Sequence, residues 1–299
     1  MDPEPPSALA AARSPRPPAA GVARRDEPRR GPGVGNRPSR FWRIREVLPT
    51  RLRLVLVVTS LVAPLVLWVL LDLTHAVDPP TFLPGPLKVL RAAREMVESG
   101  ILQQDVRASL QRISLGFGLA VLISVPLGLA IGTFKSIEAL FEPVISLIRY
   151  MPATAFVPLL LIWFGLGEQP KIALIVIGVV FFNTLMTANV VWQVPTEMIK
   201  VAFTLGANNA TVFTRVIFPH SVPGIIDAMR VNLAAAWNLI VVAELVAADE
   251  GLGFRIVRAQ KFLQIDQIFV VLVVIGLLGL STDVALRTLR NRLAPWSQE

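Results

Sequence analysis

The chain contains no cysteine and only two histidines, His75 and His220, among its 299 residues. The absence of cysteine excludes disulfide bonds and thiolate metal sites. Two histidines that lie far apart in the chain do not by themselves supply a zinc or haem site, and we expect both in exposed loops. The sequence therefore predicts no metal centre.

Charged residues are also scarce. They make up 17% of the chain, whereas 54% of the residues are hydrophobic, and an ordinary soluble domain contains roughly 25% charged residues. The formal net charge is nevertheless +8, so a basic surface must face either nucleic acid or an anionic lipid leaflet. The long apolar runs decide between the two, because a soluble core does not need them, and we expect lipid and no nucleic acid.

Six apolar runs are long enough to cross a membrane. A helix of about twenty residues, rising about 1.5 Å per residue, spans the hydrocarbon core. A backbone in lipid must satisfy its own hydrogen bonds, so each run is expected to be a helix. The chain is thus predicted to be an all-α membrane protein with about six transmembrane helices. The predicted spans are 54–71, 113–133, 141–166, 172–192, 231–248 and 268–286.

The first fifty residues are rich in proline, arginine, alanine and glycine, and twelve arginines lie between Arg13 and Arg53. Such a segment cannot bury enough apolar area to offset its ordering entropy. We therefore predict a disordered cytosolic tail over 1–50 and a membrane domain over 51–299. The tail either helps to fix the orientation, which we favour, or binds acidic lipid. With lysine and arginine enriched on the cytosolic side, six spans place both termini in the cytosol.

A segment between the first two spans, FLPGPLKVLRAAREMVESG, has the pattern of an amphipathic helix. Pro86 suits a first helical position and Gly100 a helix end. We expect this helix to lie along the outer membrane interface, where it packs on the spans or contacts a partner outside the cell. The apolar residues at helical spacing are Leu87, Leu90, Ala93 and Val97.

The segment 195–223, between the fourth and fifth spans, is too polar to cross the membrane. Thr196 is a candidate N-cap, and Gly206 can end the first helix in a left-handed conformation. Asn209 can begin a second short helix, which Pro219 is expected to end. The segment is thus predicted to be a cytosolic helix–glycine–helix unit that docks in a partner's groove. The apolar residues available for that contact are Ile199, Ala202, Leu205 and Phe213.

The stretch TLGANNATVFTRVIFPHSVPGI resembles the signature loop of binding-protein-dependent ABC transporter permeases. That loop carries Glu-Ala-Ala, three further residues, a glycine, nine residues, isoleucine, any residue and then Leu-Pro. Ala202, Gly206 and Pro219 match the pattern, whereas Lys200 and Phe218 depart from it. The candidate residues for coupling to an ATPase are therefore Lys200, Ala202, Leu205, Gly206, Ala207, Phe213, Val216 and Pro219.

The likeness extends from about Phe82 to the C-terminus, through motifs such as SLQRISLGFGLAVLISVPLGLAIG and LVAADEGLGFRI. These motifs resemble the branch of permeases that imports nitrate, sulfonate, taurine or bicarbonate. The resemblance implies a second permease copy, cytosolic ABC ATPase subunits and an extracytoplasmic solute-binding protein. It also implies location in a bacterial inner (plasma) membrane, with ATP used by the partner subunit and no cofactor bound by this chain.

The chain lacks motifs for covalent chemistry. It contains no Gly-x-x-x-x-Gly-Lys-Ser/Thr, no His-Glu-x-x-His and no Gly-x-Ser-x-Gly, so it has neither a phosphate-binding loop nor a recognisable catalytic centre. An intramembrane enzyme is therefore disfavoured, and a transporter subunit without its own ATPase is expected. A secondary transporter or channel is the alternative, although it would not need the docking segment.

Polar residues inside the spans are candidates for a solute pathway, because their burial in lipid is costly. Arg149 and Tyr150 precede Pro152 and Pro158, and broken helices often line a pathway. The alternative for each polar residue is a hydrogen bond between helices or a place at the membrane edge. The candidate pathway residues are Arg149, Tyr150, Asn183, Asn238 and Glu244.

Overall fold

The structure is a computed structural model that describes residues 48–74 and 82–297, and these residues are helical without any strand. The all-α prediction is therefore confirmed for this part of the chain. The chain divides into two compact units, one ending at Leu61 and one beginning at Val62. The predicted disordered tail lies almost wholly outside the described residues, as does His75.

Eleven α-helices are described, joined by shorter turns. They are α1 (Thr50–Leu73), α2 (Pro86–Glu98), α3 (Ile101–Thr133), α4 (Lys135–Ile148), α5 (Val157–Phe164), α6 (Gln169–Trp192), α7 (Thr196–Thr204), α8 (Asn209–Val212), α9 (Phe218–Ala247), α10 (Leu252–Lys261) and α11 (Ile265–Leu293). A 3₁₀ turn at Ala153–Phe156 precedes α5, and a π-helical turn at Phe213–Ile217 joins α8 to α9.

Five of the described helical segments are long and apolar enough to cross a membrane, and α4 with the segment Ala153–Phe164 forms a sixth, broken span. The two halves of that span meet at an angle of 81°. Pro152 lies in the break, and proline removes a backbone donor and clashes with the preceding helical turn. The predicted number of spans is therefore confirmed, and the third span is bent at the prolines noted in the sequence.

Two spans begin earlier than predicted. α3 begins at Ile101 instead of 113, and α9 begins at Phe218 instead of 231. The early part of α3 carries Asp105, whose carboxylate is buried and paired within the protein, so its charge does not end the helix. The prediction that Pro219 ends a helix is wrong, because the helix continues through Pro219 from the π-helical turn at Phe213–Ile217 into α9.

α2 has the predicted ends but presents a different face to the protein. It begins at Pro86 and is followed by Gly100 with φ of +76°. Its buried residues are Val89, Ala92 and Met96. Leu87, Leu90 and Val97 are exposed, so of the two predicted roles packing on the spans does not fit these three residues. Ala93 lies at the margin of the buried core.

Glycines allow α3 and α6 to pack closely. A Cβ atom on Gly128 would lie 2.5 Å from the carbonyl oxygen of Thr184, and one on Gly132 would lie 2.5 Å from Cβ of Val191. Small residues spaced four apart let two helix backbones approach each other inside a membrane. α3 and α6 thus form the close-packed centre of the larger unit, with α9 against α6.

The long helix α9 defines two ends of this unit. The segment α7–α8 leads into the start of α9, and α10 follows its finish. The first turns of α3 contact α10 and the loop before it, whereas the last turn of α6 leads to α7. We call the two ends the α7 end and the α10 end.

Candidate functional site

Gly206 ends α7 in the predicted left-handed conformation, with φ of +83°. Its N–H donates to the carbonyl oxygen of Phe203 at 2.9 Å, and the N–H of Ala207 donates to that of Ala202 at 3.0 Å. These two bonds are the pair that closes a helix around a left-handed glycine. No atom would lie within 4 Å of a Cβ on Gly206, so the backbone conformation, and not lack of space, favours glycine.

The caps of α7 and α8 differ from the sequence prediction. Thr196 is the first residue of α7 and not its N-cap, and Pro195 precedes it without a side-chain cap. α8 is capped by Asn208, whose side-chain oxygen accepts from the N–H of Thr211 at 2.8 Å. Sequence reasoning missed Asn208, although asparagine directly before a helix is a preferred N-cap.

The exposed face of α7 is formed by other residues than predicted. Ile199 and Ala202 are half-buried and pack, with Phe213 and Val216, against a small buried core. The apolar residues that α7 and its end expose are Met198, Val201, Phe203 and Leu205, of which Leu205 is 82% exposed. Of the four apolar residues predicted to contact a partner, only Leu205 is therefore exposed. Lys200 is also exposed, on the same helix.

The π-helical turn carries this segment directly into a span. It begins at Phe213 and ends at Ile217, and α9 follows at Phe218 without a break. Val212 and Ile217 are buried against the last residues of α6. α8 therefore continues into α9 as packed helix, without an intervening loop.

Arg149 lies at the C-terminal end of α4, where the third span breaks. A cation is favourable at this end of a helix dipole. Its Nη2 donates to Tyr150 Oη at 3.2 Å, and its guanidinium lies 5.0 Å from the ring centre of Tyr150. Arg149 is half-buried and Tyr150 is exposed.

The break also lies close to α9. A Cβ on Gly178 of α6 would be 3.2 Å from Cβ of Ala153 and 3.4 Å from Cδ2 of Leu239, which brings the break, α6 and α9 together at one depth. Asn238 is adjacent to Leu239, is exposed, and donates to the carbonyl oxygen of Ala234, at 3.1 Å. The structure therefore places Asn238 next to a residue of α9 that lies near Ala153, at the start of the 3₁₀ turn after the break.

Asn183 has a different environment, because its side chain is fully buried. It donates through Nδ2 to Ser124 Oγ at 2.6 Å and accepts from Asn232 Nδ2 at 3.2 Å. The three residues join α3, α6 and α9 by hydrogen bonds. Sequence reasoning missed Ser124 and Asn232, whose partners are distant in the chain.

Glu244 is also buried, at the α10 end of α9. Its carboxylate accepts from Arg112 Nη1 at 2.8 Å, from Ser109 Oγ at 2.7 Å and from the N–H of Gly253 at 2.8 Å. Its charge is thus balanced by a buried arginine and its oxygens are satisfied. Glu244 and Asn183 bond the bundle together and do not face an open space in the described part of the chain.

Arg112 connects the buried and exposed parts of this network. Its Nε and Nη2 donate to the two carboxylate oxygens of Glu168, and its side chain is only 2% exposed, whereas that of Glu168 is 54% exposed. Lys171 Nζ also donates to Glu168, at 2.9 Å. The hydrogen bond from Arg112, and to a lesser extent that from Lys171, lowers the pKa of Glu168 to about 2 against the opposing effect of burial.

The loop before α10 is held by the first turns of α3. Asp105 accepts from the N–H of Gly251 at 2.9 Å and from Arg255 Nε at 2.6 Å. Gly251 has φ of +122°, and a Cβ there would lie 2.5 Å from the Glu244 carboxyl carbon and 2.6 Å from Arg112 Nη1. Sequence reasoning gave this glycine no weight, yet only glycine fits between the buried ion pair and the loop.

An open cleft of about 620 Å³ lies at the α10 end. Its charged lining residues are Arg112, Glu168, Lys171, Asp249, Glu250 and Lys261. Over the described residues no group of acidic, histidine or cysteine side chains could hold a metal ion. His220 is exposed, as expected, but it lies in the first turn of α9 and not in a loop.

Comparison with known proteins agrees with this architecture. A bacterial permease of Brucella abortus, described as a probable ABC transporter permease protein, is 39% identical over 231 residues, which cover 77% of this chain and 91% of that one. The taurine transport system permease protein of Escherichia coli is 38% identical over 226 residues, covering 74% and 82%. These two relatives confirm the predicted resemblance to ABC permeases and to their taurine branch.

The fold is also similar to a solved structure. The inward-facing MetNI methionine ABC transporter matches with a TM-score of 0.54 and 17% identity, over 63% of this chain and 95% of the matched chain. The family model for the inner membrane component of binding-protein-dependent transport systems matches residues 124–295. The chain therefore belongs to the family of binding-protein-dependent transport system inner membrane components, the permease subunits of ABC importers.

Proposed function

We propose that this chain forms the translocation pathway of an ATP-driven importer and couples it to a separate ATPase. The solute is a small anion or zwitterion of the nitrate, sulfonate, taurine or bicarbonate class. In this proposal the chain works in a bacterial inner membrane with both termini in the cytosol, as one of two permease copies. An extracytoplasmic protein delivers the solute, and the chain itself binds no cofactor.

The observation that supports coupling best is the construction of α7 and α8. The unit exposes Met198, Val201 and Leu205 at helical spacing, which is the pattern of a helix that lies in a partner's groove. Its other side is packed on the protein, and the π-helical turn leads into α9 without a break. A secondary transporter or channel has no use for an exposed apolar helix that is rigidly attached to a span.

The solute assignment is supported by the taurine permease among the relatives and by the cationic Arg149 at the break of the third span. Tyr150 and Asn238, which are both exposed, are proposed to line the pathway with it. Glu244 and Asn183, which were candidates from the sequence, are assigned to structural roles because both are buried and hydrogen-bonded.

Gly206→Val tests the coupling proposal. The left-handed conformation at Gly206 costs a residue with a β-carbon roughly 1 kcal/mol or more, and valine's branched side chain adds to this. We expect normal membrane insertion, because no span is altered, but at least tenfold less ATPase recovered with the purified permease. Uptake of taurine, an alkanesulfonate, nitrate and bicarbonate is measured in proteoliposomes that contain ATP, the ATPase and the binding protein.

Gly100→Val is the matched control for this experiment. Gly100 has φ of +76° and an empty surrounding like that of Gly206, but it lies at the α10 end. The Gly100→Val variant should be destabilised by a similar amount and should still co-purify with the ATPase. Wild-type recovery of the ATPase with the Gly206 variant would mean that α7 and α8 only connect two spans. Uptake by the permease without any ATPase would favour a secondary transporter.

A further inference from the structure

The short helix α5 is bounded by a break in the backbone at each end. Towards α4 the chain bends by 81°, and towards α6 it passes through Gly165 and Gly167, with φ of +73° and +146°. No atom lies within 4 Å of a Cβ built on either glycine. Both glycines are therefore favoured by the backbone conformation, and they allow α5 to turn relative to α6.

α5 buries few of its side chains. Only Leu160 of its residues is buried, and Ile162 and Trp163 are exposed. On the side that faces α6 and α9, Val157 and Leu161 lie with Ala243 and Val246 around a cavity of about 10 Å³. A space of that size holds at most about one water molecule, so little room is left between α5 and α9 along this mainly apolar seam.

This seam lies between two sites already described. Lys171 and Val246 line both the small cavity and the open cleft at the α10 end, so the cleft adjoins the seam on one side. α5 follows the 3₁₀ turn after the break that carries Arg149, and it ends at Phe164, two residues before Leu166, which lines the cleft. The seam therefore lies along α5, between the break and the cleft.

The end of α5 near the cleft is joined to Glu168, which ion pairs hold in place. Glu168 directly follows Gly167 and is bound by Arg112 and Lys171. Arg112 is in turn bound to Glu244 of α9 and to the carbonyl oxygen of Glu250. Glu168, beside the glycines, is thus connected to α3, α6 and α9, and we call it the pivot. A hinged segment that moves between two positions needs such a fixed end.

We propose that α5 is a hinged gate that moves away from α9 at the seam and so connects the cleft with the break of the third span. Arg112 and Glu168 are positioning residues that hold its pivot. This inference rests on the transport function proposed above, since a gate has a role only in a pathway. In this proposal the seam is formed by Val157, Leu161, Ala243 and Val246, and the hinge is formed by Gly165 and Gly167.

The seam is tested with the double variant Leu161→Cys and Val246→Cys, reacted with a short bifunctional thiol reagent that a reducing agent cleaves. The chain has no other cysteine, so each single variant and the wild type are controls. Cross-linking should lower ATP-dependent uptake at least tenfold, and reduction should restore it. A pair that never cross-links, or a cross-linked protein with full uptake, would overturn the gate.

The hinge and its pivot are tested by substitutions that leave the seam intact. Gly165→Ala should slow uptake several-fold, whereas Gly100→Ala, which also places alanine at a positive φ but outside the hinge, should not. Glu168→Gln should reduce several-fold the ratio of binding-protein-stimulated to basal ATP hydrolysis, and Glu168→Asp should recover part of that ratio. A purely structural role of Glu168 would lower stability and leave the ratio unchanged, which would contradict its positioning role.

The outcomes separate this inference from the function on which it rests. The solute used is whichever of taurine, alkanesulfonate, nitrate or bicarbonate the wild-type protein takes up with ATP. Absence of ATP-dependent uptake by the wild type would overturn both proposals. Normal uptake by the wild type and by the cross-linked and Gly165 variants alike would overturn the gate alone.

Discussion

Arg149 differs from the arginines at the α10 end in how its donors are used. Arg112 has hydrogen-bond partners for all three of its nitrogens. In the described part of the chain, the Nε of Arg149 is buried and has no hydrogen-bond partner. A buried donor without a partner costs free energy, and a guanidinium fits the planar oxygens of nitrate or the oxygens of a sulfonate. Arg149 is thus suited to receive a passing anion.

Arg149→Ala should therefore reduce uptake while the ATPase still co-purifies. A hydrogen bond to a charged group contributes about 1.5–3 kcal/mol, so we expect about ten- to one-hundred-fold slower uptake at low solute concentration. Arg149→Lys should keep part of the activity, because it retains the charge but not the planar fork. Arg94→Ala, which removes an exposed arginine from a surface ion pair, is the control, and equal uptake by all variants would exclude Arg149 from the pathway.

Residue types could be predicted from the sequence better than residue pairs. Arg149 and Gly206 were found because proline or a glycine-centred pattern marks their surroundings. Arg112 was missed as a site residue, because its partners Glu168 and Glu244 lie 56 and 132 residues away in the chain. A sequence shows that a charge lies at the edge of a span, but not which distant charge neutralises it, and so Glu244 was taken for a pathway residue.

At the scale of the helix, the number of spans followed from hydrophobicity, whereas the helix faces did not. In α2, residues at 87, 90 and 97 have the right spacing for one face, yet Val89, Ala92 and Met96 are buried. Outside the membrane core an apolar face can meet the lipid surface, a partner or the chain itself, so hydrophobicity alone does not distinguish these contacts. The same ambiguity assigned Ile199 and Ala202 of α7 to a partner, although they pack on the chain itself.

The packing of α3 on α6 is tested by two glycines of α3 that differ only in their surroundings. A Cβ on Gly128 would lie 2.5 Å from the carbonyl oxygen of Thr184, whereas one on Gly118 would meet nothing within 4 Å. Gly128→Ala should destabilise the protein by about 1–3 kcal/mol through overpacking. Gly118→Ala should be neutral or stabilising by up to about 1 kcal/mol, because alanine is the better helix former.

Thermal unfolding of the two variants in the same detergent measures this difference. The Gly128 variant should unfold at a lower temperature than the wild type, and the Gly118 variant at the same or a higher temperature. Equal unfolding temperatures for both variants would mean that α3 and α6 are not packed against each other as closely as the structure places them.

At the scale of the whole molecule, the larger unit has different chemistry at its two ends. The α10 end carries buried ion pairs, a charged cleft and the proposed gate. The α7 end carries an exposed apolar helix attached rigidly to α9. An importer driven by a cytosolic ATPase needs this arrangement, with delivery of solute at one end and docking of the motor at the other. The two ends must then face opposite sides of the membrane, which fixes the orientation to be tested.

We predict that the α10 end faces outward and that the N-terminal tail is cytosolic. The basis is the arginine-rich tail, since lysine and arginine are enriched on the cytosolic side of short flanking segments, and the even number of spans. Ser99→Cys, at the exposed end of α2 next to the α10 end, and Phe262→Cys, just after α10, should react with a membrane-impermeant thiol reagent in intact cells. Ser14→Cys, in the tail, should react only after permeabilisation.

Each variant carries a single thiol, because the natural chain has none. Reaction of Ser14→Cys alone in intact cells would place α7 and α8 outside, where no ATP-driven subunit reaches them, and the importer proposal would fall with the orientation.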